Sequence, residues 1–158
     1  MTKNPSLYEP TSRSLPISLL QTRELIMEVV RPMLVRHSIT EQQWRVLRVI
    51  SEDVRLDAST VAARACLLAP SVTRIVRALA KRGFISSVRD VSDKRRTVLQ
   101  LTEAGDAFLE KVSPESVEIF AKLRRTVGAE RWEQLTTLLS DIRSDIQATD
   151  TDQSDAKP

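Results

Sequence analysis

The chain has 158 residues, 41% hydrophobic and 28% charged, which is enough apolar material for one domain with a real core. Three glycines and 4% aromatic residues argue against a β-sandwich, one cysteine excludes an internal disulfide, and one histidine weighs against a histidine-based metal centre. A formal charge of +3 and a pI near 9.3 are modest, so where the basic residues fall matters more than their sum.

Residues 1–14 mix Pro, Ser, Thr and charge without periodicity, which predicts a flexible arm. The start lacks the apolar core of a signal peptide and no apolar run approaches membrane-spanning length, so a cytoplasmic protein without a membrane partner is expected. Leu15, Leu19, Thr22, Ile26, Val29, Met33 and Leu34 mark a long helix, with Ser14 as candidate N-cap and Pro16 in the first turn. Pro32 predicts a kink or an early end near Arg31. This helix is too apolar to stand free on a surface, which points to packing against a second chain.

A second helix opens at Thr40, with Gln43 three residues on completing a capping box and Trp44, Leu47 and Ile50 facing the core. Leu56-Asp57 opens a third, shorter helix with Asp57 as N-cap and Val61, Ala62 and Ala65 inward. The small residues Ala62, Ala63 and Ala65 allow the next helix to cross closely, as a helix-turn-helix requires.

In that next helix Val72, Ile75, Val76, Leu79 and Ala80 recur at the spacing of one buried face. At about 100° per residue, Arg74, Arg77 and Lys81 fall on the other side, flanked by Ser71 and Thr73. Pro70 suits the first helical position and Gly83 the stop. Phe84–Val88 and Thr97–Leu101 read as two strands joined by the polar tip Arg89–Arg96. Residues 74–96 carry eight Lys or Arg against Asp90 and Asp93, and Arg64 just upstream makes nine. Charge alone leaves a solvated face and a nucleic-acid surface both open. A basic, hydroxyl-bearing helix followed by a basic hairpin favours a winged reader of DNA.

Thr102 caps a further helix through Phe108, Leu109, Val112, Val117, Phe120, Leu123 and Val127, with a kink or stop predicted at Ser113-Pro114. After Gly128, the residues Trp132, Leu135, Leu138, Leu139, Ile142 and Ile146 form a near-heptad stripe. Residues 147–158 have nothing to bury, and a disordered tail is expected. The fold class is therefore mainly α with a small two-stranded β wing.

Ser71-Val72-Thr73-Arg74, Lys81-Arg82-Gly83-Phe84-Ile85, Arg89–Arg96 and Leu101-Thr102-Glu103-Ala104-Gly105, in that order and spacing, resemble the MarR family of bacterial transcriptional regulators. Ser14-Leu15-Pro16-Ile17, Arg31-Pro32-Met33-Leu34 and Thr40–Arg48 are similar to its subgroup regulating homoprotocatechuate (4-hydroxyphenylacetate) catabolism. Ala69 departs from the family, where a capping hydroxyl is usual. The resemblance covers residues 15–146: a winged helix-turn-helix over about 39–101, and dimerisation helices over about 15–36 and 102–146.

What the resemblance implies is a homodimer on a pseudo-palindromic operator of double-stranded DNA. It acts as a repressor released by a small phenolic or aromatic acid, and it needs no cofactor. Ser71, Thr73, Arg74, Arg77 and Lys81 would then meet the major groove and its phosphates, with a structural ion pair the rival role for Arg74. Arg95, matched to the family's wing arginine, would enter the minor groove with Lys94 and Arg96 adding charge, or else form a solvated turn. Asp90 and Asp93 would support the wing.

For the effector, Arg23, His37, Trp44 and Arg45 could supply a cation and an aromatic wall. Against that stand a core role for Trp44, a helix-end role for His37 and ion pairs for the arginines. Cys66 raises a redox-sensing alternative, although it is expected to pack beside Leu67 and Leu68. A helical protein-interaction module is the other rival. No phosphate loop or nucleophile motif suggests an enzyme.

Overall fold

The computed structural model describes residues 10–53, 55–89 and 97–155. A 3-10 turn at Thr11–Arg13 leads into α1 (Leu15–Arg36), α2 (Glu41–Ser51), β1 (Leu56–Asp57), α3 (Ala58–Arg64) and α4 (Ala69–Lys81). Then follow β2 (Ile85–Arg89), β3 (Thr97–Leu101), α5 (Glu103–Val127) and α6 (Ala129–Asp155). The chain forms two units, Met1–Val117 and Glu118–Pro158.

Local chemistry sets these boundaries. The capping box of α2 is complete: Thr40 Oγ1 accepts from the Gln43 amide at 3.2 Å, and Gln43 Oε1 accepts from the Thr40 amide at 3.1 Å. Asp57 caps α3 by accepting from the Thr60 amide at 2.8 Å, and Thr102 accepts from the Gly105 amide at 3.1 Å. Three helices close with the paired bonds of a Schellman motif, α1 through Ser38 (φ 52°), α3 through Cys66 (φ 49°) and α4 through Gly83 (φ 75°). In α4 the Phe84 amide donates to the Leu79 carbonyl and the Gly83 amide to that of Ala80.

Val46, Leu47 and Ile50 of α2, Val61 and Ala65 near α3, Val72, Ile75 and Leu79 of α4, and Ile85, Val98 and Leu99 of the sheet are buried in the first unit. Met33 and Leu34 of α1 and Leu109 and Val112 of α5 join this core. Full burial of each such side chain contributes about 1.5–3 kcal/mol, which fixes α4 on α2 and α3 by its apolar side and leaves its other side to solvent.

Several expectations are corrected. The sheet has three antiparallel strands in the order β1-β3-β2, with Leu56 opposite Leu99 and Asp57 opposite Val98, so a third strand completes the two-stranded wing. Two residues are too few to show alternation, and the lone apolar Leu56 is the one buried. α1 runs through Pro32 and α5 through Pro114 without ending. In each case the carbonyl four residues back belongs to an exposed residue, Glu28 or Glu110, where water can serve it.

Ser14 takes the N-cap position of α1 without a side-chain capping bond, and Leu68, not a hydroxyl residue, precedes α4. Ala80, about 80° round the helix from Val72, is exposed. Cys66 is exposed as well, because the left-handed turn after α3 carries it away from the core. Residues 147–155 extend α6 where a disordered tail was expected, since no Gly or Pro interrupts the helix there.

Candidate nucleic-acid interface

The outer side of α4 carries Arg74, Arg77 and Lys81, all exposed, and none has an ion pair or hydrogen bond among the described residues. Several guanidinium groups elsewhere are engaged: Arg31 with Glu24, Arg36 with Glu115, Arg124 with Glu133, and Arg64 with Asp53 at 3.7 Å. The Asp53 pairing removes Arg64 from the free basic set. Three uncommitted cations at positions i, i+3 and i+7 of one helix make a stripe that can meet an anion without first breaking a contact. Thr73 is exposed and donates its hydroxyl to the Ala69 carbonyl at 3.2 Å, and Ser71 is half-buried beside it. Arg89, at the end of β2, is another exposed cation without a partner among the described residues. Lys94, Arg95, Arg96, Asp90 and Asp93 lie outside the described residues.

Of the four effector candidates, Arg23 and Arg45 meet through Glu41 where α1 faces α2, and His37 does not join them. Glu41, the first residue of α2, is the centre of this group. It pairs with Arg23 and, at 3.0 Å, with Arg45; Arg31 Nε stands 3.6 Å away. Arg23 and Arg31 also hold Glu24. The hydrogen bond from Arg31 keeps the Glu24 carboxyl below its ordinary range, aided by the charges of both arginines. Arg45 donates further to the Ala65 carbonyl at 2.8 Å, which ties the network to the end of α3. Trp44, half-buried, follows Glu41 by three residues, close to one turn of α2.

His37 lies at the other end of α1, about 20 Å from Arg23 at 1.5 Å per residue. Its Nε2 is 3.0 Å from Glu115, and its ring meets Phe108 edge-on. The sequence reading missed Glu41, Glu24 and Arg31. The spacing of Glu41 four residues before Arg45 was the one signal available.

A cavity of about 390 Å³ beside the end of β3 is lined by Glu52, Asp53 and Asp106 and does not suit an anion. Another of about 300 Å³ places Thr40, Gln42 and Gln43 of the α2 start against Arg74, Ile75 and Ala78 of α4. Apolar stripes lie exposed within each unit. Leu15, Leu19, Leu25 and Val29 form one on α1, and Leu135, Leu138, Leu139, Ile142 and Ile146 form another on α6.

Residues 39–97 match the MarR family. The chain is 36% identical over 129 residues to the homoprotocatechuate degradative operon repressor of Escherichia coli, covering 82% of this chain and 87% of that protein. It is equally identical to the HTH-type transcriptional regulator FarR of Neisseria gonorrhoeae, covering 82% and 88%. The crystal structure of NadR in complex with 4-hydroxyphenylacetate superposes with a TM-score of 0.77 at 34% identity, covering 90% of this chain and 97% of that one.

Proposed function

The chain belongs to the MarR family, and from that premise we propose that it is a dimeric repressor of aromatic catabolism, released from its operator by a small phenolic carboxylate. It is a transcription regulator and not an enzyme, and we place its work in the cytoplasm, on the nucleoid. The observation that carries the reading is the row of cations Arg74, Arg77 and Lys81 on the exposed side of α4, unpaired among the described residues.

The apolar stripes of α1 and α6 are covered by the same stripes of a second copy, which gives a two-fold dimer. Its two α4 helices enter successive major grooves of a pseudo-palindrome with half-sites roughly 10 base pairs apart. Arg74 and Arg77 offer planar forks that match guanine O6 and N7, Ser71 and Thr73 add short-range polar contacts, and Lys81 meets phosphate. Lys94, Arg95 and Arg96 reach the minor groove from the wing, supported by Asp90 and Asp93.

Relatives named for homoprotocatechuate and a structural neighbour bound to 4-hydroxyphenylacetate support the effector class. Arg23 and Arg45 supply cations to a carboxylate, with the Trp44 indole as an aromatic wall and Glu41 as the carboxylate they hold without ligand. His37 serves another contact. The acid releases DNA by favouring the dimer whose recognition helices are mis-spaced for it.

Selection from random duplex DNA, followed by anisotropy titration with and without 4-hydroxyphenylacetate, tests this. Enrichment of a palindrome whose binding weakens with the acid is expected. No enriched palindrome overturns DNA reading in favour of a protein-binding module.

A further inference from the structure

We propose that Arg82, outside the DNA-facing row, is the residue that couples the end of α1 to the recognition helix α4, so that a shift of α1 re-aims α4. Arg82 is the C-cap of α4, and its Nη1 donates to the Ser38 carbonyl, just past the end of α1, at 2.8 Å. Among the described residues this is the one side-chain hydrogen bond joining the ends of these helices. Ser38 and Gly83 both turn left-handed to close their helices, and the Arg82 side chain reaches from the closed end of α4 to the negative end of α1.

The cation is fixed in direction as well as charge. It lies 4.6 Å from the Phe84 ring centre and 5.7 Å from that of Phe108, over two rings stacked 4.6 Å apart. Phe84 begins the wing and Phe108 belongs to α5. The His37 edge meets Phe108 at 6.4 Å, while Arg36 and His37 both grip Glu115 of α5. The end of α1 is therefore held to α5 by Glu115 and to α4 by Arg82.

At its other half, α1 carries Arg23 and Arg31, which hold Glu41. Any ligand that alters that network acts on the same continuous helix whose far end Arg82 grips. Unlike Arg74, Arg77 and Lys81, Arg82 is engaged within the fold, and its role here is positional. This inference rests on the reading of the chain as an effector-released repressor.

The test compares wild type, Arg82→Gln and Arg82→Lys as full-length dimers. Operator affinity is measured with and without 4-hydroxyphenylacetate, and acid binding to free protein is read from its thermal shift. Effector coupling spans roughly 5–150-fold in such systems. Arg82→Gln is expected to keep operator and acid binding within about threefold while its release factor falls at least threefold. Arg82→Lys, which keeps charge without the planar stack, should fall between. Wild-type release in Arg82→Gln overturns the proposal, as does joint loss of fold, operator and acid binding in both variants. A wild type indifferent to the acid defeats the effector reading instead. Amide exchange then decides for Arg82: the last turns of α1 and α4 must both exchange faster in Arg82→Gln, and an unchanged α1 overturns the coupling.

Discussion

Gly105 has no room for a side chain, since a Cβ there would lie 2.1 Å from the Phe84 carbonyl oxygen. That oxygen also accepts from the Thr102 amide at 3.1 Å, and the Thr102 hydroxyl donates to the Gly83 carbonyl, so the strand cannot swing aside cheaply. Gly105→Ala is expected to cost about 1–3 kcal/mol in urea denaturation. Leu101-Thr102-Glu103-Ala104-Gly105 was legible as a family pattern, but its cause was not, because the clashing carbonyl lies 21 positions upstream. Cys66 shows the same limit, because a pattern read by polarity cannot foresee a left-handed turn.

Glu24 yields a pH test with a definite sign. Its carboxyl titrates lower in the fold than in the unfolded chain, chiefly through the Arg31 hydrogen bond. Stabilisation is therefore present above the ordinary glutamate range and is lost as pH falls through the lower folded value. An NMR titration should place the Glu24 midpoint below that of an ordinary exposed glutamate, and Arg31→Ala should return it toward the ordinary value.

At the scale of elements, helices with strong periodicity could be read directly. The α2 capping box and the buried side of α4 were legible because each rests on residues within eight positions of one another. β1 was not, since two residues take their identity from pairing with β3 more than forty positions away. Nor was the Arg23–Glu41–Arg45 cluster, whose members meet across two helices. Thr40→Ala removes the α2 cap and should lower stability by about 1 kcal/mol in thermal or chemical melts.

Arg77→Ala should behave in the opposite manner. Having no partner among the described residues, Arg77 can be removed with an unchanged melting temperature, while operator binding weakens by about 1–3 kcal/mol. A variant with wild-type operator affinity would take Arg77 out of the interface.

For the whole molecule, the number of phosphates met is the quantity that joins the sequence's basic pattern to function. A dimer presents Arg74, Arg77 and Lys81 twice. If all six cations neutralised phosphates, log affinity would fall against log salt with a slope of about −5, and base-reading arginines would reduce it. Wing residues would steepen it. Arg95→Ala removes one cation from each subunit, so the expected slope is shallower by up to about 2 while the size-exclusion mass remains that of a dimer. An unaltered slope would take Arg95 off the phosphates, and loss of the dimer would make the wing a structural part of the assembly. Leu138→Glu sets the control: Leu138 is 58% exposed in the single chain, and a charge there should split the dimer. Each half would then keep its own cations but lose the second half-site, which should halve the slope and weaken binding far more than Arg95→Ala does.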